Sequence, residues 1–213
     1  MEELIRSVPA VTRAYMLICG LFTLGMSLKL ISYPQLFLFM PFVAEGGEWW
    51  RLLTNFFVFS THFSMQWFLK MFMIFQYSSS LERGSFVNRR SDYVHFLLFG
   101  MAGLLGIHAA LSYFTNEIPK YFAPPLLLAG SLESFIVYVW SMRNKNARIV
   151  LFFVLPIMAS YLPLALLALD FLFDANLTSP IMGFFVGHVY YFFADVFPKL
   201  NNGMTIIKTP SFL

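Results

Sequence analysis

Apolar runs alternate with polar or mixed segments along the whole chain, and most of them approach the length needed to cross a bilayer. Val8-Pro9 breaks any helix before Arg13, so the first span is expected over residues 14–31, with Lys29 near its far end, where a long side chain can snorkel. Residues 32–64 are apolar but interrupted by Pro34, Pro41, Gly46 and Gly47, and they carry Glu45 and Glu48. Such a loop is expected to lie in the interface or partly in the bilayer, held by hydrogen bonds from Arg51. Further spans are predicted over residues 65–77, 93–114, 122–142, 149–171 and 179–197.

The joints between these runs are polar. Residues 78–92, SSSLERGSFVNRRSD, read as a loop, and Arg143, Lys145 and Arg148 as a tight basic turn. Pro124 and Pro125 are expected in the first turn of the fourth span, where a missing amide proton matters least. Pro156 and Pro163 should bend the fifth. The membrane domain is thus residues 1–200, with a short tail at 201–213 that has no run long enough to cross again. No small-residue cleavage site closes the first run, which is therefore read as a retained span.

Basic residues test this count. Arg6, Arg13, Arg83, Arg89, Arg90, Arg143, Lys145, Arg148, Lys199 and Lys208 fall on one side of a six-span arrangement, and only Arg51 and Lys120 on the other. The positive-inside rule then puts both termini in the cytoplasm. Asn176-Leu177-Thr178 is a sequon on the opposite side, too close to two spans to be used.

Composition agrees with this pattern: 59% of the 213 residues are hydrophobic and 12% charged, far too apolar for a soluble domain. The net charge of +3 comes from dispersed residues, with no basic patch for nucleic acid. Cys19 stands alone, which excludes an intrachain disulfide or redox pair. His95 and His108 lie about 20 Å apart on one helix and read as polar groups near its ends. No metal or cofactor is expected, and there is neither a P-loop nor a dinucleotide fingerprint.

The chemistry is carried by a few polar groups inside apolar runs. Gly183 and Gly187 share one helix face and allow a neighbouring backbone to approach closely, with His188 beside them. Lys70 is the oddest charge in the chain; it either faces a polar interior or snorkels. Glu133 reads as a proton carrier, as a partner for Lys70 or His188, or as half of an ion pair that only holds helices together. Lys70, Glu133 and His188 together are candidates to line a hydrated cavity. Ser131, in LAGSLES, is a candidate nucleophile for an intramembrane serine protease; the alternative is that Ser131 and Ser134 bond to their own helix. Flux that depends on Lys70 or Glu133 would instead mark a small channel or carrier.

Several stretches, in order, resemble the Derlin family, which are rhomboid-like proteins of the endoplasmic reticulum membrane. They are VPAVTRAY at 8–15, WWRLLTNF at 49–56, LERGSF at 81–86, SDYVHFLLFG at 91–100, VYVWSMRN at 137–144, GFFVGHVYYFFADVFP at 183–198 and IIKTPSFL at 206–213. The resemblance implies an all-α, rhomboid-like bundle of six transmembrane helices with an irregular interfacial first loop. It implies that Trp50 and Arg51 are the motif that braces this loop, and that Gly183 and Gly187 are the packing motif of the sixth helix. Active rhomboid proteases place their histidine three residues before that pair; here Pro180 stands there, so no proteolysis is expected. His188 lies roughly 12 Å further along the helix. Ser131 falls close to the protease nucleophile, a departure from the Derlin pattern.

The function implied is assistance in moving misfolded proteins from the endoplasmic reticulum to the cytosol for proteasomal degradation. Its partners would be misfolded substrates, a membrane ubiquitin ligase complex, the bilayer and further copies or relatives in an oligomer. Longer Derlins end in a motif that recruits an AAA-type ATPase, and this sequence reaches Leu213 without it. Either the ATPase arrives through a partner, or the sequence is truncated or belongs to a branch without direct recruitment. The sixth span has about 17 residues between Pro180 and Pro198, roughly 25 Å against a core of about 30 Å, so local thinning of the bilayer is expected.

Overall fold

The computed structural model describes residues 8–114, 125–151, 155–173, 177–201, 204 and 206–207. Pro9 is the N-cap of the first helix, α1, Ala10–Ser27, which therefore starts four residues before the expected span. Arg13 falls in its first turn. The reason for the early start is an acceptor brought from elsewhere: the carboxylate of Glu82 takes hydrogen bonds from Val11 N (3.1 Å), Thr12 N (2.9 Å) and Thr12 Oγ1 (2.8 Å). A buried acid thus satisfies amides that a helix N-terminus leaves free. At the other end Lys29 adopts φ 58°, which stops the helix short of Ile31 and turns the amides of Leu30 and Ile31 back to Gly25 O.

The first loop folds into a 3₁₀ turn at Tyr33–Gln35 and two short helices, α2 (Met40–Ala44) and α3 (Arg51–Thr54). Ser64 caps α4, Met65–Arg83, by accepting from Trp67 N. This helix extends six residues past the expected end at residue 77. Ser78 to Arg83 belong to the helix and not to a loop, because Ser78, Ser80 and Glu82 find partners on other helices. Ser78 Oγ bonds both Thr12 Oγ1 and the Tyr93 hydroxyl, and Trp140 Nε1 donates to Ser80 Oγ at 2.8 Å. The long helix α5, Arg90–Tyr113, follows.

Two expected spans begin late. The fourth was placed from residue 122, but residues 122–124 lie outside the described residues and Pro125 to Leu128 are not helical; α6 covers Ala129–Arg143. The backbone before it is engaged by the first loop, since Leu38 N donates to Leu126 O and Leu128 N donates to Asn55 O. The fifth run, expected helical from Ile149, opens instead as an antiparallel pair, β1 (Arg148–Leu151) and β2 (Leu155–Met158), with Val150 opposite Pro156. β-Branched residues and Pro156 favour extended backbone there. A 3₁₀ turn, Ala159–Tyr161, then leads into α7, Leu162–Phe173, with Pro163 in its first turn, where it removes no needed donor.

The sixth run is one continuous helical stretch of 23 residues, Thr178–Leu200, which runs through both prolines and is not the short span of about 17 residues expected between them. α8, Thr178–Tyr191, passes through a single π turn, Phe192–Val196, into α9, Phe197–Leu200. Pro198 has no amide proton and its ring clashes with the carbonyl four residues back, which accounts for the π turn before it. Among the described residues, three stretches, Ala10–Ser27, Arg90–Tyr113 and Thr178–Leu200, are long and apolar enough to cross a membrane. The chain is a mostly helical membrane protein. Its tightest pair is α6 against α8, and its centre is aromatic: Phe96 stacks on Phe135 at 4.6 Å, with Tyr190 edge-on at 4.9 Å.

Candidate functional site

Ionisable groups inside apolar helices must face protein or water, and three of them meet here. Lys70 projects from α4, Glu133 from α6 and Asp170 from the last turn of α7. Lys70 Nζ lies 3.3 Å from Glu133 Oε2 and 3.6 Å from Asp170 Oδ1. Glu133 is almost sealed from solvent, with 7% of its side chain exposed, whereas Lys70 and Asp170 retain 23% and 25%. Those two line a cavity of about 400 Å³. Its walls include Tyr33 and Ser60 of the first loop, Gln66 and Trp67 of α4, and Ser179 and Pro180 of α8. Elements distant in sequence therefore enclose one polar chamber between α4, α6, α7 and α8.

The other residues singled out from the sequence fall around this chamber or away from it. His188 does not join the cavity: it sits on the exposed side of α8, and its Nδ1 is 2.7 Å from the Tyr138 hydroxyl. One residue beyond Gly187, its side chain stays exposed at the margin of the α6–α8 contact, against Tyr138 of α6 and outside the wall of the chamber. Ser131 is wholly buried, with Oγ 3.0 Å from Ser179 Oγ. Among the described residues no histidine lines the cavity, and Pro180 occupies the wall beside Ser179. Ser134 bonds back to Gly130 O at 3.0 Å. His108 is buried near the end of α5, with Nδ1 3.4 Å from Ser112 Oγ. Among the described residues, no three His, Cys, Asp or Glu side chains converge as a metal site requires.

Gly183 and Gly187 lie in the seam between α8 and α6. A Cβ on Gly183 would stand 2.2 Å from Ser131 O, and one on Gly187 2.9 Å from the Tyr138 ring. The same seam holds Gly130, whose added Cβ would be 3.1 Å from Ser179 Oγ. Close backbone approach is what brings Ser131 against Ser179 and sets the floor of the chamber.

Its roof is the first loop, and Arg51 organises that loop. Buried to 4% exposure, its Nη1 donates to Pro34 O (2.6 Å) and Phe37 O (2.9 Å), while its Nε pairs with Glu48. The guanidinium also lies against Phe37 and Phe42, 5.5 and 5.0 Å from their ring centres. Trp50 is exposed, and its Nε1 donates to Gln35 O at 3.4 Å. The loop is tied to the helices by Tyr15 OH on Phe56 O (2.7 Å). Lysine cannot reproduce this forked donor set, so Arg51→Lys should lower stability by about 1–2 kcal/mol, read from thermal unfolding in detergent.

Asp170 and Glu82 escaped the reading of the sequence. Asp170 lies one residue inside the end of the span predicted over residues 149–171, where it reads as an interfacial group, although a lone carboxylate in LALDFLF is itself a signal of a buried pairing. Glu82 was taken as part of a loop; only the end-to-end meeting of α4 and α1 reveals its use.

Comparison with known sequences fits this arrangement. The model of the Der1-like family matches residues 8–211. The chain is 36% identical to a probable derlin-2 homolog of Dictyostelium discoideum, over 100% of this chain and 81% of that protein. It is 35% identical to Derlin-1.1 of Zea mays, over 99% of this chain and 82% of the relative. Against Derlin-2.2 of Arabidopsis thaliana it is 34% identical, over 100% of this chain and 86% of the relative. With a family match along nearly its whole length and relatives above 30% identity, the chain belongs to the Der1-like, or derlin, family.

Proposed function

We propose that this protein is a catalytically silent rhomboid-like protein of the endoplasmic reticulum membrane that helps pass misfolded proteins back to the cytosol for ubiquitin-proteasome degradation. The observation that carries this reading is a polar chamber, centred on Lys70 and Asp170, inside a derlin whose Ser131 faces another serine and no imidazole. A serine hydroxyl needs a base within hydrogen-bond reach to act as a nucleophile. Family membership supports the degradative role.

The proposed mechanism is a lowered membrane barrier. α7, which exposes Leu164, Phe171 and Leu172, has 12 residues, roughly 18 Å of helix, against a hydrocarbon core of about 30 Å. A short helix draws the bilayer thinner, and a hydrated chamber beside it gives polar segments an alternative to lipid. In this reading the chain crosses six times with both termini cytoplasmic, and substrates enter laterally between α4 and α7. A membrane ubiquitin ligase complex and other copies or relatives complete the assembly, and an AAA-type ATPase reached through a partner supplies the pull.

The test is a translation-shutoff chase of a misfolded membrane reporter in cells carrying the intact protein, its deletion, or Ser131→Ala. The reading expects full-length reporter to persist in the deletion, and Ser131→Ala to clear it at the intact rate without a change in fragments. A shorter fragment that appears only when Ser131 is present would make the protein a protease.

A further inference from the structure

Resting on the dislocation reading above, we propose that the Lys70, Glu133 and Asp170 cluster recognises a basic side chain carried within the membrane segment of a substrate. Three helices contribute one residue each, and two carboxylates share one ammonium. Among the described residues the cluster is therefore one positive charge short, and Lys70 is the only cation that they place on the wall of the cavity.

Access and shape agree with that deficit. Glu133 is closed off, but Lys70 and Asp170 both face the chamber. At about 400 Å³ it holds one long side chain together with several waters, each of which takes about 30 Å³. Tyr33 and Trp67 offer aromatic faces, and Ser60, Gln66 and Ser179 offer oxygen acceptors. Carboxylate, aromatic ring and neutral oxygen together form the setting in which guanidinium and ammonium groups bind.

Such a ligand is also what a failed membrane protein exposes. A lysine or arginine in a span is tolerated when it pairs with another subunit, and without that partner it lies in hydrocarbon at a high free-energy cost. The incoming cation would replace Lys70 at Asp170 while Lys70 keeps Glu133. That exchange removes the ionic link between α4 and α7, the two helices between which the substrate enters.

The test uses the full chain in native membranes with its partners. A benzoyl-phenylalanine photocrosslinker replaces Leu126 on the chamber wall, and single-span test proteins differ only in one mid-span residue, Arg, Gln or Glu. The crosslink to the Arg protein should exceed that to the Gln protein about tenfold, the factor expected of one charge-assisted hydrogen bond, and the Glu protein should crosslink least. Lys70→Gln, by removing the resident competitor, should raise the Arg yield, whereas Asp170→Asn should bring it down to the Gln level. An ion cluster that only held the helices together would lose crosslinking in both variants.

Equal yields for Arg, Gln and Glu in the intact chain, with all three test proteins still cleared faster than in the deletion, would overturn basic-residue recognition and leave the dislocation reading standing. If deletion changes the clearance of none of them, the dislocation reading falls, and this inference with it.

Discussion

Gly183→Ala is expected to lower the stability of the purified protein by about 3 kcal/mol, and Gly183→Leu to prevent a stable fold. The added Cβ would meet the carbonyl oxygen of Ser131, a backbone atom on a fully buried stretch of α6, at 2.2 Å, where no side-chain rotation can relieve the contact. The two helices must move apart, and the chamber floor between Ser131 and Ser179 opens with them. Gly187→Ala should be milder, about 1–2 kcal/mol, because its neighbours are the ring and Cβ of Tyr138 at 2.9–3.0 Å, and no backbone atom stands closer. Gly106, with no atom within 4 Å of an added Cβ, supplies the control: alanine there should leave the unfolding temperature unchanged. Thermal unfolding in detergent, followed by tryptophan fluorescence, ranks the three. Equal effects at Gly183 and Gly106 would show that the α6–α8 seam is not the tight contact described here.

Glu82→Ala is the second large effect, expected at about 3–5 kcal/mol. The carboxylate is the acceptor for two amides and one hydroxyl at the start of α1, and it closes a chain of hydrogen bonds that runs through Thr12 and Ser78 to Tyr93. Removing it leaves buried donors without acceptors and frees the beginning of α1 from α4. Glu82→Gln keeps the size and one acceptor oxygen, so it should retain about half of the stability that Glu82→Ala loses. Limited proteolysis near the N-terminus, together with the unfolding temperature, separates local loosening from global loss.

Much of the architecture was legible because apolar length is a strong signal in membranes. The runs around α1, α5 and α8 stand out from composition alone, and the prolines mark where helices fail. What the sequence could not show was where polar residues near a span end would go. Ser78 to Glu82 look like a loop until α1 arrives to take up their hydrogen bonds, and Pro125 looks like a helix start until the first loop claims the backbone of Leu126 and Leu128. The run from Ile149 to Met158 has the hydropathy of a span, but its β-branched residues and Pro156 pair as strands and leave α7 with only 12 residues.

At the site, Lys70 and Glu133 announced themselves as charges inside apolar stretches. Their third partner did not, because Asp170 sat close enough to a predicted boundary to pass as an interfacial residue. His188 shares their residue type but not their place: one position beyond Gly187 it turns to the exposed margin of the α6–α8 seam, where Tyr138 engages it, and the chamber lies elsewhere.

The central physical claim is that a short helix beside a polar chamber reduces the thickness of hydrocarbon a substrate must cross. Its most direct test is the hydrocarbon thickness resolved around the protein in lipid nanodiscs by electron cryomicroscopy. A thinned sector next to α7, at roughly 18–25 Å against about 30 Å elsewhere, is the predicted result. Uniform thickness around the whole perimeter would contradict it.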